Sequence, residues 1–275
     1  MTLSVTPITQ DHVPVEAEML RPDLLAAHSL DQIGQMQVFH GNRARPAAEC
    51  FRFEGDPSAR RLHLKGDFSR VKSIGQGMAD GAITVEGPVG MHVGAEMTGG
   101  KIEVDGDAGD WVGAEMRGGF IRVRGSTGHL VGGAYRGSVS GMKGGAILVH
   151  GNAGNEVGCG MRRGLIAIGG AIGDFAGFNF IAGTLLVGGA FGIRCGAGMR
   201  RGTIISLAEE AEQPDLLASF RFDCDYRPQF MGIYLRRLLE WDFPIDRAAV
   251  GGRFLRYSGD MVALGKGEVL LWRRS

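Results

Sequence analysis

The sequence predicts an all-β fold: a right-handed parallel β-helix of about seven 19-residue coils, with mixed α/β caps at both ends. Three observations predict it. The stretch Gly87 to Asp105 (GPVGMHVGAEMTGGKIEVD) is followed directly by Gly106 to Arg124 (GDAGDWVGAEMRGGFIRVR), with glycine and apolar residues at matching offsets. Each unit carries several glycines, and glycine costs a helix about 1 kcal/mol relative to alanine; the chain holds 47 glycines in 275 residues. The regular run inside a unit is the alternation Ile-x-Val, as in Lys101 to Asp105, which is the period of a strand.

The columns show how far the repeat extends. One contains Ile83, Ile102, Ile121, Ile147, Ile166, Leu185 and Ile204, at spacings of 19, 19, 26, 19, 19 and 19. A second contains Met78, Met97, Met116, Met142, Met161, Phe180 and Met199, and a third Val93, Val112, Val131, Val157, Ala176 and Cys195. These columns, with the second valine of each strand, are predicted to face inward and form the core. One coil cannot bury enough apolar surface to offset the ordering of its backbone, so stability is expected to reside in the stacking of neighbours. On the outer face, Glu103 is predicted to sit under Arg122 and Asp105 under Arg124, as opposite charges on adjacent strands. Glu96 and Glu115 stack as like charges in a corner. That corner reads either as a cation site or as a solvated position neutralised by Arg117 or by a partner.

The domain boundaries follow from the columns: residues 1–65 an N-terminal cap, 66–206 the repeat domain and 207–275 a C-terminal cap. In the first segment, Arg21 to Ala27 has room for one or two helical turns. Ser29-Leu30-Asp31-Gln32 is a capping box opening a short helix to about Met36. Strands are predicted at Glu49 to Phe53 and Arg61 to Leu64, around a turn at Gly55-Asp56-Pro57. The interval of 26 marks seven extra residues, Ala134 to Ser140. They carry Tyr135 and Arg136, residue types enriched at binding hot spots, so this insertion is the candidate partner-contact loop; the other reading is a tolerated solvent loop. After the repeats, Ala208 to Gln213 is acidic and linker-like, and Leu217 to Phe222 alternates as a strand. Phe230 to Trp241 has apolar residues at helical spacing (Phe230, Ile233, Leu235, Leu238, Leu239) and is expected to fold back as the second cap. Phe254 to Asp260 and Gly265 to Leu270 form a strand pair, with Gly265-Lys266-Gly267 as its turn.

Composition and motifs exclude more than they propose. Thirty basic and thirty acidic residues balance, and no basic stretch of the kind that grips phosphates occurs, so nucleic acid is not an expected partner. The first twenty residues lack a positive-then-apolar signal, and no apolar run reaches the ~18 residues of a membrane span, so a cytoplasmic protein is expected. Cys159 and Cys195 occupy small-residue core positions, while Cys50 and Cys224 lie in the flanks, with no CxxC and no zinc spacing. His12, His28, His40, His63, His92, His129 and His150 form no metal or catalytic motif; His92 and His129 fall at neighbouring offsets on a corner. The glycines lack the strand-then-helix context of a dinucleotide site. No catalytic, cofactor-binding or metal residue is assigned. Two classes remain: a scaffold using a long rigid face of the stack, or a β-helix enzyme acting on carbohydrate, which would need an Asp, Lys and Arg cluster on one outer face.

The run Gly141 to Gly158 (GMKGGAILVHGNAGNEVG) followed by Met161-Arg162-Arg163-Gly164 resembles the C-subunit family of formylmethanofuran dehydrogenase. The resemblance extends to Leu30-Asp31-Gln32-Ile33 through His40-Gly41-Asn42, and to Arg256-Tyr257-Ser258-Gly259-Asp260 with Gly265-Lys266-Gly267-Glu268. The repeats alone are shared with the C-terminal β-helix of the glutamate synthase large subunit, so a stand-alone domain of that kind is an alternative. The resemblance implies a structural, non-catalytic subunit of a larger cytoplasmic enzyme. In methylotrophic bacteria that enzyme is a formyltransferase/hydrolase complex, in which a formyl group passes from tetrahydromethanopterin to a methanofuran-type carrier and leaves as formate. In archaea it is a tungsten or molybdenum dehydrogenase. The implied partners are sibling subunits, amidohydrolase-like, formyltransferase and B-type. The carrier, the pterin and zinc are implied to sit in those siblings rather than in this chain. The excess of arginine over lysine leans toward the bacterial form.

Overall fold

The structure is a computed structural model and describes residues 2–8 and 12–274. In chain order its elements are β1 (Leu3–Pro7), β2 (Val15–Glu16), α1 (Pro22–Leu25), α2 (Leu30–Gln35), β3 (Gln37–His40), β4 (Arg43–Pro46), β5 (Phe51–Gly55) and β6 (Arg61–Leu64). The repeat region contributes β7 (Val71–Lys72), β8 (Ala82–Val85), β9 (Lys101–Val104), β10 (Phe120–Val123), β11 (Lys143–Val149), β12 (Arg163–Ile168), β13 (Thr184–Val187) and β14 (Arg201–Ser206). The chain closes with β15 (Arg221–Tyr226), α3 (Met231–Glu240), β16 (Arg253–Gly259) and β17 (Lys266–Arg273). The molecule is mostly β, dominated by a 13-stranded sheet in the order β15-β16-β17-β14-β13-β12-β11-β10-β9-β8-β6-β1-β5. The sheet has two edges and does not close on itself. A small sheet, β4-β3-β2-β7, stands beside it.

From β1 through β17 in the order of the large sheet, every pairing is parallel and in register along one column. Ile83 pairs with Ile102, Ile102 with Ile121, Ile121 with Ile147 and Ile147 with Ile166. Leu62 extends the column at one end and Val269 at the other, both from segments outside the repeat. The turns stack as the strands do: Phe68, Val89, Ala108 and Thr127 form successive parallel bridges, as do Ala153, Ile172 and Phe191. Met78, Met97, Met116, Met142, Met161 and Met199 are fully buried, as are Ile102, Ile121, Ile147 and Ile166.

A glycine in each repeat lets this stack close. Gly94, Gly113, Gly132, Gly158, Gly177 and Gly196 each donate their N–H to the inward residue one repeat earlier, as Gly113 does to the Val93 carbonyl at 2.8 Å. Gly113 has φ +61°, and a Cβ there would run into Ile147 Cδ1. Only glycine meets both conditions.

Both flanks complete hydrogen-bond ladders that the repeats leave open. At the start, the Leu20 carbonyl accepts from Gly75 N–H at 3.0 Å, where later repeats use the preceding repeat. At the end, Gly198 has no following repeat to donate to, whereas Gly160 and Asn179 have the Phe178 and Ala197 carbonyls. The Asp260 carboxylate takes its place, accepting from Gly198 N–H at 3.0 Å and from Val262 N–H at 2.9 Å. Partial burial raises this carboxyl, but its hydrogen bonds to Ser219, Gly198 and Val262 outweigh that and hold it below the usual aspartate value.

The flanks differ from the sequence expectation in three places. β5 and β6 do not pair with each other across the turn at Gly55; β1 lies between them, antiparallel to β5 and parallel to β6. The strand expected at Leu217 to Phe222 is β15, four residues later, because Leu216 and Leu217 pack against the core instead. Helix α3 does not cover an end of the stack. Met231, Leu235 and Leu238 pack against Leu148, Ala167, Leu186 and Ile205, which are the outward positions of β11 to β14. The equivalent outward positions of β8 to β10 are Thr84, Glu103 and Arg122, so the helix lies where the outer column turns apolar. Ile233, expected on the packed face, is instead 72% exposed.

At the boundary between the two halves, Arg122 joins ladder to helix. Its guanidinium is 3.2 Å from Glu103 and donates to the Trp241 carbonyl at 2.7 Å, the C-terminal end of α3. Asp105 and Arg124 pair at 3.2 Å. The capping box at Ser29 opens α2, with Gln32 N–H on Ser29 Oγ at 3.3 Å and Ser29 N–H on Gln32 Oε1 at 2.9 Å. Among the described residues no helix is long and apolar enough to cross a membrane.

Candidate partner-contact site

The insertion Ala134 to Ser140 sits over a corner whose residues carry side chains in left-handed backbone. Ser73, His92, Trp111, Leu130, Glu156, Phe175 and Arg194 occupy one column, with φ between 58° and 66°. A non-glycine residue there costs roughly 1–2 kcal/mol, offset by the stacked hydrogen bonds on either side. The conformation aims successive side chains outward at one strand spacing, close to the distance at which rings stack. His92 and Trp111 use it, with ring centroids 6.1 Å apart and nearly parallel.

Tyr135 folds back onto this pair. Its ring stacks on Trp111 at 4.9 Å, its hydroxyl is 3.0 Å from His92 Nδ1, and its N–H donates to Glu115 Oε1 at 3.2 Å. Burial raises the Tyr135 phenol to about 12, helped by Glu96 and Glu115. Burial, with Lys72 nearby, lowers the His92 imidazole below its usual value. Near neutral pH the cluster is therefore a neutral imidazole hydrogen-bonded to a neutral phenol. Arg136, by contrast, is exposed and its side chain has no partner among the described residues; Val139 beside it is 89% exposed. The insertion thus contains one residue anchored to the stack and a short exposed tip.

The acidic corner is neutralised differently from the expectation. Lys143, not Arg117, approaches Glu115, at 3.9 Å, and the Tyr135 N–H supplies a further contact; Glu96 is exposed. Among the described residues no three His, Cys, Asp or Glu side chains converge as a metal site would require.

No family model matches the chain. The C subunit of molybdenum-containing formylmethanofuran dehydrogenase 1 of Methanothermobacter thermautotrophicus is 45% identical over 95 residues, covering 34% of this chain and 24% of that protein. The C subunit of tungsten-containing formylmethanofuran dehydrogenase 2 of the same organism is 39% identical over 95 residues, covering 33% of this chain and 35% of that protein. The chain therefore matches about a quarter to a third of the length of these curated relatives. The X-ray crystal structure of the formyltransferase/hydrolase complex from Methylorubrum extorquens, in complex with methylofuran, contains a chain that superposes with a TM-score of 0.89. That chain is 31% identical, and the match covers 98% of this chain and 100% of that one. The chain belongs to the C-subunit family of formylmethanofuran dehydrogenase.

In this member of the C-subunit family, burial holds back two of the thiols. Burial raises Cys159 to about 11, with Glu156 adding to it, and raises Cys195 to about 12, so neither thiol is a nucleophile at neutral pH. His129 is a link in a corner ladder: its N–H donates to Asp110 Oδ1 at 2.7 Å and its Nδ1 accepts from Asn155 N–H at 2.8 Å. Asn155 and Asp174 carry the ladder on through Asp174 N–H and Ile193 N–H, at 3.0 and 2.9 Å. A parallel line runs from Asp107 through Ser126 and Asn152 to Ala171. Sequence reasoning does not single out Trp111, although it stands 19 residues from His92 in the same column. The polar columns Asp107/Ser126/Asn152 and Asp110/His129/Asn155/Asp174 are equally readable as acceptors at repeat spacing.

Proposed function

We propose that the chain is the non-catalytic scaffold subunit of a formyltransferase/hydrolase complex, one that moves a formyl group from tetrahydromethanopterin to a methanofuran-type carrier and releases formate in one-carbon metabolism. The observation that carries this reading is the match, over nearly the whole of both chains, to a chain of the Methylorubrum extorquens complex. The same reading assigns the carrier, the pterin and zinc to amidohydrolase-like, formyltransferase and B-type siblings, and the assembly to the cytoplasm. It describes the chain as a right-handed parallel β-helix of about seven coils over 66–206, capped by 1–65 and 207–275. The in-register parallel columns and the stacked turns support that description.

A second reading rests on local identity. The stretch most like the curated relatives is 45% identical to the C subunit of a molybdenum enzyme, against 31% over the bacterial chain. One purification separates the two. The tagged chain, isolated gently from its host, is expected to bring large sibling subunits without tungsten or molybdenum, and the preparation to release formate from a formylated carrier. Bound metal with a pterin would move the assignment to the dehydrogenase. A chain that purifies alone would remove both.

A further inference from the structure

Helix α3 has two apolar faces; the sheet buries one and covers the other only in part, at Tyr234 and Trp241. Met231, Leu235 and Leu238 are buried against the outer column, while Phe230, Ile233, Tyr234, Arg237 and Trp241 follow one another at helical spacing on the adjoining face. That second face is the wall of a groove with a volume of about 820 Å3. Glycines in or next to the first residues of β10 to β13 (Gly119, Gly145, Gly164, Gly183) line it, with Phe120 and Leu165. Ile233 overhangs it, 72% exposed, and Phe230 beside it is 38% exposed.

Charge specifies the occupant. Arg162 and Arg163 also line the groove, and neither guanidinium has a hydrogen-bond or ion-pair partner among the described residues. Arg117, Arg200 and Arg201 stand at equivalent repeat positions, also exposed and also without side-chain partners among the described residues. Other arginines, among them Arg122, Arg124, Arg253, Arg256, Arg273 and Arg274, do pair with carboxylates. Two unpaired guanidiniums beside an aromatic and aliphatic trough have the composition of a protein interface core with a polar rim. A strongly anionic polymer would be drawn to the arginines but would leave the exposed Ile233 without a counterpart. We propose that this groove seats a polypeptide segment of a partner protein that sets an apolar side chain against Ile233 and carboxylates against Arg162 and Arg163. This rests on the reading of the chain as one member of a hetero-oligomeric complex.

The test uses the complex as its host assembles it. In tagged full-length chain, Arg162→Glu with Arg163→Glu, and separately Ile233→Asp, are expected to reduce retention of at least one sibling subunit tenfold or more, with Tm unchanged. As a second measurement, a photoreactive benzoylphenylalanine replacing Ile233 in otherwise unaltered chain is expected to crosslink to a sibling segment containing Asp or Glu. If the unaltered chain brings siblings and both variants do so equally, the docking proposal falls and the scaffold reading stands. If the unaltered chain brings none, both fall. A crosslink to a segment without carboxylates, or an anionic polymer recovered in the groove in place of polypeptide, also overturns the proposal.

Discussion

Replacing Gly113 by alanine tests whether the stack is limited by backbone conformation or by the closeness of its columns. Two costs are expected. Placing alanine at φ +61° costs roughly 1–2 kcal/mol. The new methyl group would also collide with Ile147 Cδ1, and forcing an extra carbon into a packed core costs about 1–3 kcal/mol. The total is about 2–5 kcal/mol. Gly137, in the insertion at φ +88°, would carry a methyl group with nothing within 4 Å of it, so Gly137→Ala isolates the backbone part at about 1–2 kcal/mol. Ile147→Val removes the colliding methyl and alone costs about 0.5–1.5 kcal/mol. Together, Gly113→Ala and Ile147→Val should cost about 1–3 kcal/mol less than the sum of their separate effects, since the second change relieves the first. Urea unfolding followed by circular dichroism measures all four chains. Additivity within about 0.5 kcal/mol, or equal costs at Gly113 and Gly137, would refute the close-packing argument.

Four further outcomes follow from the same geometry. Met116→Asp puts an unpaired charge in the fully buried methionine column and is expected to abolish folding; a mutant purified with unchanged Tm would contradict that. Asp260→Ala leaves the Gly198 N–H without its acceptor and should cost about 1–3 kcal/mol, read by urea unfolding, with faster amide exchange at Gly198. The His92–Tyr135 pair makes stability depend on pH at both ends. His92 titrates lower folded than unfolded, so the unfolded chain takes up its proton first, and stability falls as pH drops below the usual histidine value of 6.5; His92→Gln should flatten that slope. Tyr135 titrates higher folded, so stability is lost as pH rises from 10 toward about 12, and Tyr135→Phe should remove that loss. Finally, Arg136→Ala alters an exposed tip whose side chain has no partner among the described residues, so it should leave Tm unchanged and weaken co-purification of siblings. Tyr135→Ala should lower Tm as well, because it takes a ring off Trp111.

The core is legible in the sequence because it is periodic. Met97, Met116, Ile102 and Ile121 recur at 19 residues, and a fault in any column would expose a whole row. The charge pairs on β9 and β10 are legible for the same reason. The flanks are not, because their partners are set by contacts far along the chain: β1 inserts between β5 and β6, and nothing local in Leu3–Pro7 announces it. Helix α3 shows in the spacing of its apolar residues, but its position does not. A signal for that position exists, in the change of one outward column from Thr84, Glu103 and Arg122 to Leu148, Ala167, Leu186 and Ile205. An outer face that turns apolar partway along a stack must be covered, and the amphipathic ten-residue helix of the C-terminal segment is the element that covers it.

The candidate site is half legible for a related reason. Tyr135 and Arg136 are visible as an interruption, since seven extra residues break an otherwise regular spacing. An interruption has no register, so the sequence does not say that Tyr135 turns inward onto Trp111 while Arg136 turns out. The left-handed corner hides the rest. Glycine is the usual mark of positive φ, yet here His92 and Trp111 hold it, supported by neighbours that repeat the same conformation. Once that column is recognised, its residues can be read in order: serine, histidine, tryptophan, leucine, glutamate, phenylalanine and arginine. Further along the column Arg194 lies 5.3 Å over the Phe175 ring, a second contact of the same geometry separated from His92 and Trp111 by Leu130 and Glu156. The insertion covers this column where Tyr135 meets His92 and Trp111, while Arg136 at its tip stays exposed.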